Sequence, residues 1–428
     1  MSLWLILKRG YNTLGLRLRP TLPSLLLCLL LNAAPSFSGE KPSVAVGIDV
    51  LEQQEFAPLI RADKRETRIG LVTNATGVDS EGRRTIDVLA NATGVKLVAI
   101  FSPEHGIATK VDAADIEDAK DQSTGISVYS IYGRTDAQRR PRQELLHGLD
   151  AVVLDLQDAG VRFYTYETTL GYFLEACAAA GVEMIVLDRP NPINGITVQG
   201  PISTSPQSFV NYHPLPIRHG MTLGELARFF NGERKIKAKL RVVPMQGWKR
   251  DQWFDDTGIP WVNPSPALRN LNAEALYPGV ALLEQTNVSV GRGTNTPFEV
   301  VGAPWIDGQR FSQYMSRRRL TGVRFQPAEF IPTASTLAGK DCKGVSISIT
   351  ERNLLNSPAI GIELAAALLR LYPKRFEVNA MKPLLANDAE LARLTKRDQP
   401  KDIVAEWQAP VREFKKKRRP YLLYPELR

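Results

Sequence analysis

Short apolar runs recur along the chain, separated by stretches with helical spacing. Arg68-Ile-Gly-Leu-Val-Thr-Asn74 is strand-like and ends in a polar turn. Lys96 to Phe101, the alternating Ile126-Ser-Val-Tyr-Ser-Ile131, Ala151 to Leu156 and Met184 to Leu187 repeat the pattern, and Leu240 to Pro244 adds a sixth run. Between them, Arg84 to Asn91, Gln143 to Gly148 and Tyr172 to Ala180 read as helices. Strands that alternate with helices predict βαβ units and a mostly parallel sheet covered on both faces. This α/β domain is expected over about residues 41–250.

The texture changes between Thr257 and Pro266, which is rich in proline and turn residues. Beyond it lie a Gly-rich segment from Gly279 to Gly302, a strand at Val345-Ser-Ile-Ser-Ile-Thr350 and an Ala/Leu helix from Ile362 to Leu371. This pattern predicts a smaller α+β domain over about residues 260–428.

The chain has 428 residues, 43% of them hydrophobic and 23% charged, within the range of globular proteins. The formal net charge is +9, but the first 20 residues carry Lys8, Arg9, Arg17 and Arg19 and no acid. The remaining balance is too even to point to nucleic acid, which calls for a clustered basic face. The Lys415-Lys-Lys-Arg-Arg419 run is expected as a solvated face of the tail. Residues 1–38 have the make-up of an export signal. A basic start is followed by the apolar Leu22 to Leu31, and small residues lead up to Ser38. Cys28 belongs to that segment. The apolar run is too short to span a membrane comfortably, and no second run is longer, so no stable span is expected once the signal is removed. The expected location is periplasmic or secreted. Cys177 and Cys342 lie far apart and show no metal-binding spacing.

In an open parallel sheet, ligands bind beyond the carboxyl ends of the strands. Those ends read Thr73-Asn74, Ser102-Pro-Glu-His-Gly106, Asp155-Leu-Gln-Asp158 and Asp188-Arg-Pro-Asn-Pro-Ile-Asn194. A helix cap needs only one such residue, so the surplus of carboxylates and amides points to a site. No phosphate loop, dinucleotide fingerprint, nucleophile elbow or H-E-x-x-H motif is present, and no cofactor is expected. Asp155-Leu-Gln-Asp-Ala-Gly-Val-Arg-Phe-Tyr-Thr-Tyr166 packs acids, an amide, a guanidinium and two phenols into twelve residues, a mixture suited to sugar faces and hydroxyls. The alternative is an ordinary helix entry with core tyrosines. His219 has a local structural explanation, because Thr222 and Glu225 form a capping box just after it.

These segments resemble one family. Ser102 to Gly106, Asp155 to Tyr166, Asp188 to Pro192 with Asn194-Gly195, His219 to Ala227, Tyr277-Pro-Gly279 and Thr286 to Thr294 with Pro297-Phe298 are similar, in order, to the NamZ-type exo-β-N-acetylmuramidases. The sequence departs from the family pattern at Pro266-Ala267-Leu268 and at Val290. The resemblance implies a secreted glycosidase that removes N-acetylmuramic acid from the non-reducing ends of peptidoglycan fragments. It also implies a Rossmann-like catalytic domain, a smaller C-terminal domain and an active site in the cleft between them.

Glycoside cleavage calls for an acid to protonate the leaving oxygen and a second group to meet the sugar cation or activate water. Glu104, on a turn shaped by Pro103 and Gly106, is the expected acid. His105 is expected to orient it, bond a sugar hydroxyl or cap a helix. Asp158 is the expected second carboxylate, with Asp155 more structural; the acetamido group of the sugar is an alternative nucleophile. Arg162, Arg189 and Arg292 are candidates for a two-point contact with the lactyl carboxylate of muramic acid. Asn74, Asp155, Gln157, Tyr164, Tyr166, Asn191 and Asn287 complete the expected substrate-binding set. Two other classes remain: a metal-dependent hydrolase using Glu104, His105, Asp158 and His219, and a periplasmic protein that binds muramyl sugars without cleaving them.

Overall fold

The computed structural model describes residues 44–63 and 65–426. The expected export segment lies outside the described residues. Residues 41–428 form one compact unit.

The strands are β1 (Thr67–Thr73), β2 (Val95–Ser102), β3 (Ala119–Lys120), β4 (Ser127–Ser130), β5 (Ala151–Asp155), β6 (Glu183–Leu187), β7 (Gln199–Ile202), β8 (Pro216–Arg218), β9 (Leu240–Val243), β10 (Val300–Ala303), β11 (Val323–Phe330) and β12 (Cys342–Ile349). One seven-stranded sheet runs β3-β4-β2-β1-β5-β6-β9, and every pair in it is parallel except β3 with β4. The parallel strands therefore sit in the chain order third, second, first, fourth, fifth, sixth. That is a doubly wound order which reverses between β1 and β5. All six apolar runs of the first domain form strands of this sheet.

Each face of the sheet feeds a separate core. Val152, Leu154, Met184 and Val186 point into one cluster; Ala151, Val153, Ile185 and Leu187 point into the other. A period of two with both phases apolar gives the continuous hydrophobic runs typical of a sheet buried on both sides. β2 changes phase on the way. A register shift opposite Ile69 and Gly70 skips Val98, so Val95 and Leu97 face one core and Ala99 and Phe101 the other.

The helices are α1 (Gly47–Gln53), α2 (Thr85–Ala90), α3 (Asp136–Arg139), α4 (Tyr166–Ala180), α5 (Leu223–Glu233), α6 (Leu271–Val280), α7 (Gly308–Arg317), α8 (Ser357–Leu371), α9 (Lys382–Leu385), α10 (Asp388–Thr395), α11 (Pro400–Glu406) and α12 (Gln408–Arg418). α1 and α2 cover one face of the large sheet, α4 and α5 the other. Thr222 caps α5 and Glu225 returns the bond, as the capping box predicts. The helix expected at Gln143 to Gly148 is only a 3₁₀ turn, Gln143–Leu145. α4 starts six residues before the expected Tyr172, and the turn that leads into it is itself buried, with Phe163, Tyr164 and Tyr166 in the core.

β10, β12 and β11 form an antiparallel sheet in that order, with α7 against it. α6 and α8 cross where neither can carry a side chain. A Cβ on Gly279 would lie 1.8 Å from the Ser357 carbonyl oxygen, and one on Gly361 would lie 2.3 Å from that of Gly279. The chain then returns to the large sheet. Tyr424 donates to Asp188 Oδ2 at 2.6 Å, just past β6. The basic run is not wholly solvated as expected. Arg418 lies one turn beyond Phe414 on the inward stripe of α12, is fully buried, and donates to the carbonyls of Gly195, His219 and Gly220. Cys177 and Cys342 are both buried and unbridged.

Candidate active site

Glu104 stands where β2 leaves the sheet. Pro103 turns the chain, and His105 and Gly106 follow with φ of 73° and 72°. Two consecutive left-handed residues fold the backbone back sharply, and only one of them is glycine. The His105 conformation is held by its own loop. Its carbonyl accepts from the Val111 amide at 3.1 Å, and Nδ1 lies 2.9 Å from the Val111 carbonyl. Nδ1 faces a carbonyl oxygen and therefore donates in this bond.

The half-buried Glu104 carboxylate opens into a cavity of ≈ 150 Å³. His105, Asp112, Tyr164, Thr165, Tyr277, Glu284 and Arg292 share its walls, with Phe163, Phe298 and Leu384 as apolar surface. The lining thus comes from both sides of residue 260. Thr165, at the N-terminus of α4, donates to Glu104 Oε2 at 2.6 Å. Tyr132 lies close by; burial, then the charge of Glu104, pushes its phenol up. Tyr277, in the same wall, is pushed well above its ordinary value by burial and then by the charges of Glu284 and Glu104.

Glu284 was not singled out by the sequence reading, yet it is the second glutamate in the cavity wall. Arg292 pairs with it and, at 2.5 Å, with Asp112 from the loop beyond His105. Burial works against the charge on Arg292, but the two carboxylates outweigh it and hold its pKa above the ordinary value. Gly291 and Gly293 flank Arg292 with φ of 80° and 81°, which a side chain would strain.

Of the thirteen residues expected at the site, Glu104, His105, Tyr164 and Arg292 line this cavity. The other nine are not in its lining, and each makes polar contacts elsewhere, although Asp158 Oδ1 and Arg162 Nε and Nη1 are buried without a hydrogen-bond partner. Asp155 is fully buried, pairs with Arg189 at 2.5 Å and accepts from Thr85 at 2.5 Å. Arg189 also donates to the Val78 carbonyl. Both side chains tie strand ends together instead of facing sugar. Arg162 is fully buried and donates to the carbonyls of Leu384 and Leu385. Gln157 spans the carbonyls of Asp158 and Pro190, Asn191 bonds Met221 and Ile193, and Asn287 bonds Arg375 and Glu377. Asn74 donates to the Tyr166 hydroxyl at 2.6 Å, and Tyr166 and Tyr164 both donate to the Pro264 carbonyl at 2.9 Å. These last bonds fasten the wall of the cavity to the linker.

Asp158, expected as the second carboxylate, is only 4% exposed. Oδ2 accepts from the Gly160 amide at 2.8 Å and lies 3.7 Å from His219 Nε2. Burial pushes its carboxyl up to about 7. His219 accepts from the Met221 amide through Nδ1, and burial followed by the charges of Arg418 and Arg218 pushes it down to about 3, so the ring is neutral. Glu167 and Glu274 are also fully buried, and burial and then the charge of Asp158 push both well above their ordinary value. This acidic group lies in the core, apart from the cavity lining. Among the described residues, no three His, Cys, Asp or Glu side chains are grouped to hold a metal ion. No helix among them is long and apolar enough to cross a membrane.

Comparison with known proteins adds an independent finding. Residues 69–272 match the family model for the N-terminal part of exo-beta-N-acetylmuramidase NamZ, and residues 275–424 match that for its C-terminal part. The chain is 38% identical over 393 residues to the peptidoglycan beta-N-acetylmuramidase NamZ of Bacillus subtilis (strain 168), covering 90% of this chain and 93% of that protein. Crystal structures of two DUF1343 family proteins from Bacteroides fragilis NCTC 9343 are similar in fold. One has a TM-score of 0.81 and 33% identity, the other 0.71 and 29%; each comparison covers 90% of this chain and 99% of the other.

Proposed function

The chain belongs to the exo-β-N-acetylmuramidase NamZ family, and from that premise we propose how its cavity works. The protein is a glycoside hydrolase acting on the muramic acid of peptidoglycan. Glu104 is the general acid. Its proton passes to the glycosidic oxygen as the bond from the anomeric carbon breaks, and water then bonds to that carbon and gives up a proton to a carboxylate. The observation that carries this reading is the placement of Glu104 on the cavity wall, with Thr165 donating to one of its oxygens and Tyr132 beside it.

Glu284 serves the second role better than the buried Asp158. It lines the same cavity, and Arg292 pairs with it. Its negative charge faces the region where the sugar cation develops. Asp158 and the neutral His219 act behind the wall, setting the turn at Gly160. The cavity is small, ≈ 150 Å³, which suits an enzyme that takes the end of a chain rather than its middle. The make-up of residues 1–38 supports export to a compartment where peptidoglycan fragments are found.

The test is release of the muramyl unit from a chromogenic N-acetylmuramide and from the disaccharide MurNAc–GlcNAc. Turnover supports the glycosidase reading. Binding of N-acetylmuramic acid with no turnover of either compound would make the protein a sugar receptor instead.

A further inference from the structure

The charge balance of the cavity is unfavourable for an acidic ligand. Glu104, Asp112 and Glu284 contribute three carboxyls to the wall, against the single guanidinium of Arg292. That guanidinium is already occupied, by Glu284 on one terminal nitrogen and by both oxygens of Asp112 on the other, at 2.5 and 2.6 Å. A muramic acid brings a further carboxylate. If it were simply added, Arg292 would face three anions in a partly desolvated space, and like charges there repel strongly.

The two acids on Arg292 are not equivalent. The Glu284 side chain is 12% exposed and follows the buried Ala281–Leu283 turn, so it is fixed. The Asp112 side chain is 40% exposed, and among the described residues its hydrogen bonds are those to Arg292. It projects from a loop that hangs on His105, through the two bonds between His105 and Val111. The same short segment therefore carries the acid Glu104 at one end and the Asp112 carboxylate at the other.

We propose that Asp112 is a specificity residue that stands in for the substrate's carboxylate on Arg292. The lactyl carboxylate of muramic acid displaces Asp112 from the guanidinium and takes over its two-point contact, so one anion leaves the wall for each one that enters. A neutral N-acetylglucosamine unit has no group with which to make this exchange. It must either break the Asp112–Arg292 pair without replacing it or bind with the pair closed beneath it. The inference rests on the muramidase reading for the identity of the ligand, but binding alone tests it.

The experiment is calorimetric titration of N-acetylmuramic acid into the full-length protein, the Asp112→Asn variant, the Arg292→Gln variant and the double variant. Asn keeps the size of the side chain but not its charge, and Asp112 is exposed enough for the fold to tolerate it. Loss of a competing exposed ion pair predicts that Asp112→Asn tightens binding by about two- to fivefold. The gain should disappear when Arg292→Gln is also present. Unchanged or weaker binding by Asp112→Asn overturns the proposal, as does a gain that survives loss of Arg292. Tightening without turnover of MurNAc–GlcNAc by the wild type would keep the exchange and remove the glycosidase.

Discussion

Thr165 donates its hydroxyl to Glu104 Oε2 at 2.6 Å. The two residues are far apart in sequence, one at the N-terminus of α4 and the other on the turn after β2, and the bond fixes the acid relative to the wall that holds the sugar. A side-chain hydrogen bond of this kind is worth about 0.5–1.5 kcal/mol. Thr165→Val keeps the shape and removes the donor. It should lower kcat/KM for MurNAc–GlcNAc about three- to tenfold and lower the thermal midpoint by no more than a few degrees. Kinetics within threefold of the wild type would mean that the bond does not orient the acid.

The large sheet was legible in the sequence because its strands are buried on both faces, which leaves apolar runs with no polar alternation to blur them. Val152, Val153 and Leu154 are all fully buried, two of them in one core and the third in the other. β7, β8, β10 and β11 carried no such signal. β11 is half exposed and contains Pro327. Of the candidate cavity, Glu104 and His105 on their turn, Tyr164 and Arg292 were legible. Polar residues at strand ends were read as substrate ligands, but Asp155, Arg189, Gln157 and Asn191 spend their bonds on one another's loops, because a buried strand end must satisfy its own backbone and charges first. Glu284 was overlooked for the opposite reason. It follows Leu282 and Leu283 and looks like the polar face of an ordinary helix turn; only tertiary packing brings it into the same cavity wall as Glu104.

The buried carboxyls predict an acid-shifted stability. Asp158 and Asp188 are each pushed up to about 7 by burial, from an unfolded value near 3.8. They hold their protons more tightly in the folded state, so they add stability that is complete below the unfolded value and is lost as pH rises through about 7. His213 and His219, pushed down to about 4 and about 3 by burial, act in the opposite sense and only below the ordinary imidazole value. Between about pH 6.5 and 8, where unperturbed imidazole is already mostly neutral, the carboxyls dominate and the thermal midpoint should fall with pH. Asp158→Asn removes one of them and should make that slope shallower. A midpoint that rises from pH 6.5 to 8 would contradict the burial of these acids.

The C-terminal segment is part of the large-sheet core. Tyr424 donates to Asp188 at 2.6 Å and accepts from the Met245 amide at 2.9 Å. Tyr424→Phe leaves a buried amide without its acceptor and a buried carboxyl with one donor fewer. The expected cost is about 1–3 kcal/mol, read from denaturant unfolding. A variant as stable as the wild type would show that the tail only rests on the sheet.

The central claim is that Glu104 delivers the proton to the leaving sugar. Its most direct test compares Glu104→Gln with the wild type on two substrates: MurNAc–GlcNAc, whose leaving oxygen needs a proton, and an aryl muramide, whose leaving group departs as a stable phenolate. The account predicts a loss in kcat of about a hundred- to ten-thousandfold on the disaccharide, a much smaller loss on the aryl muramide, and little change in the affinity for N-acetylmuramic acid. Disaccharide cleavage by Glu104→Gln within a few-fold of the wild type would contradict it.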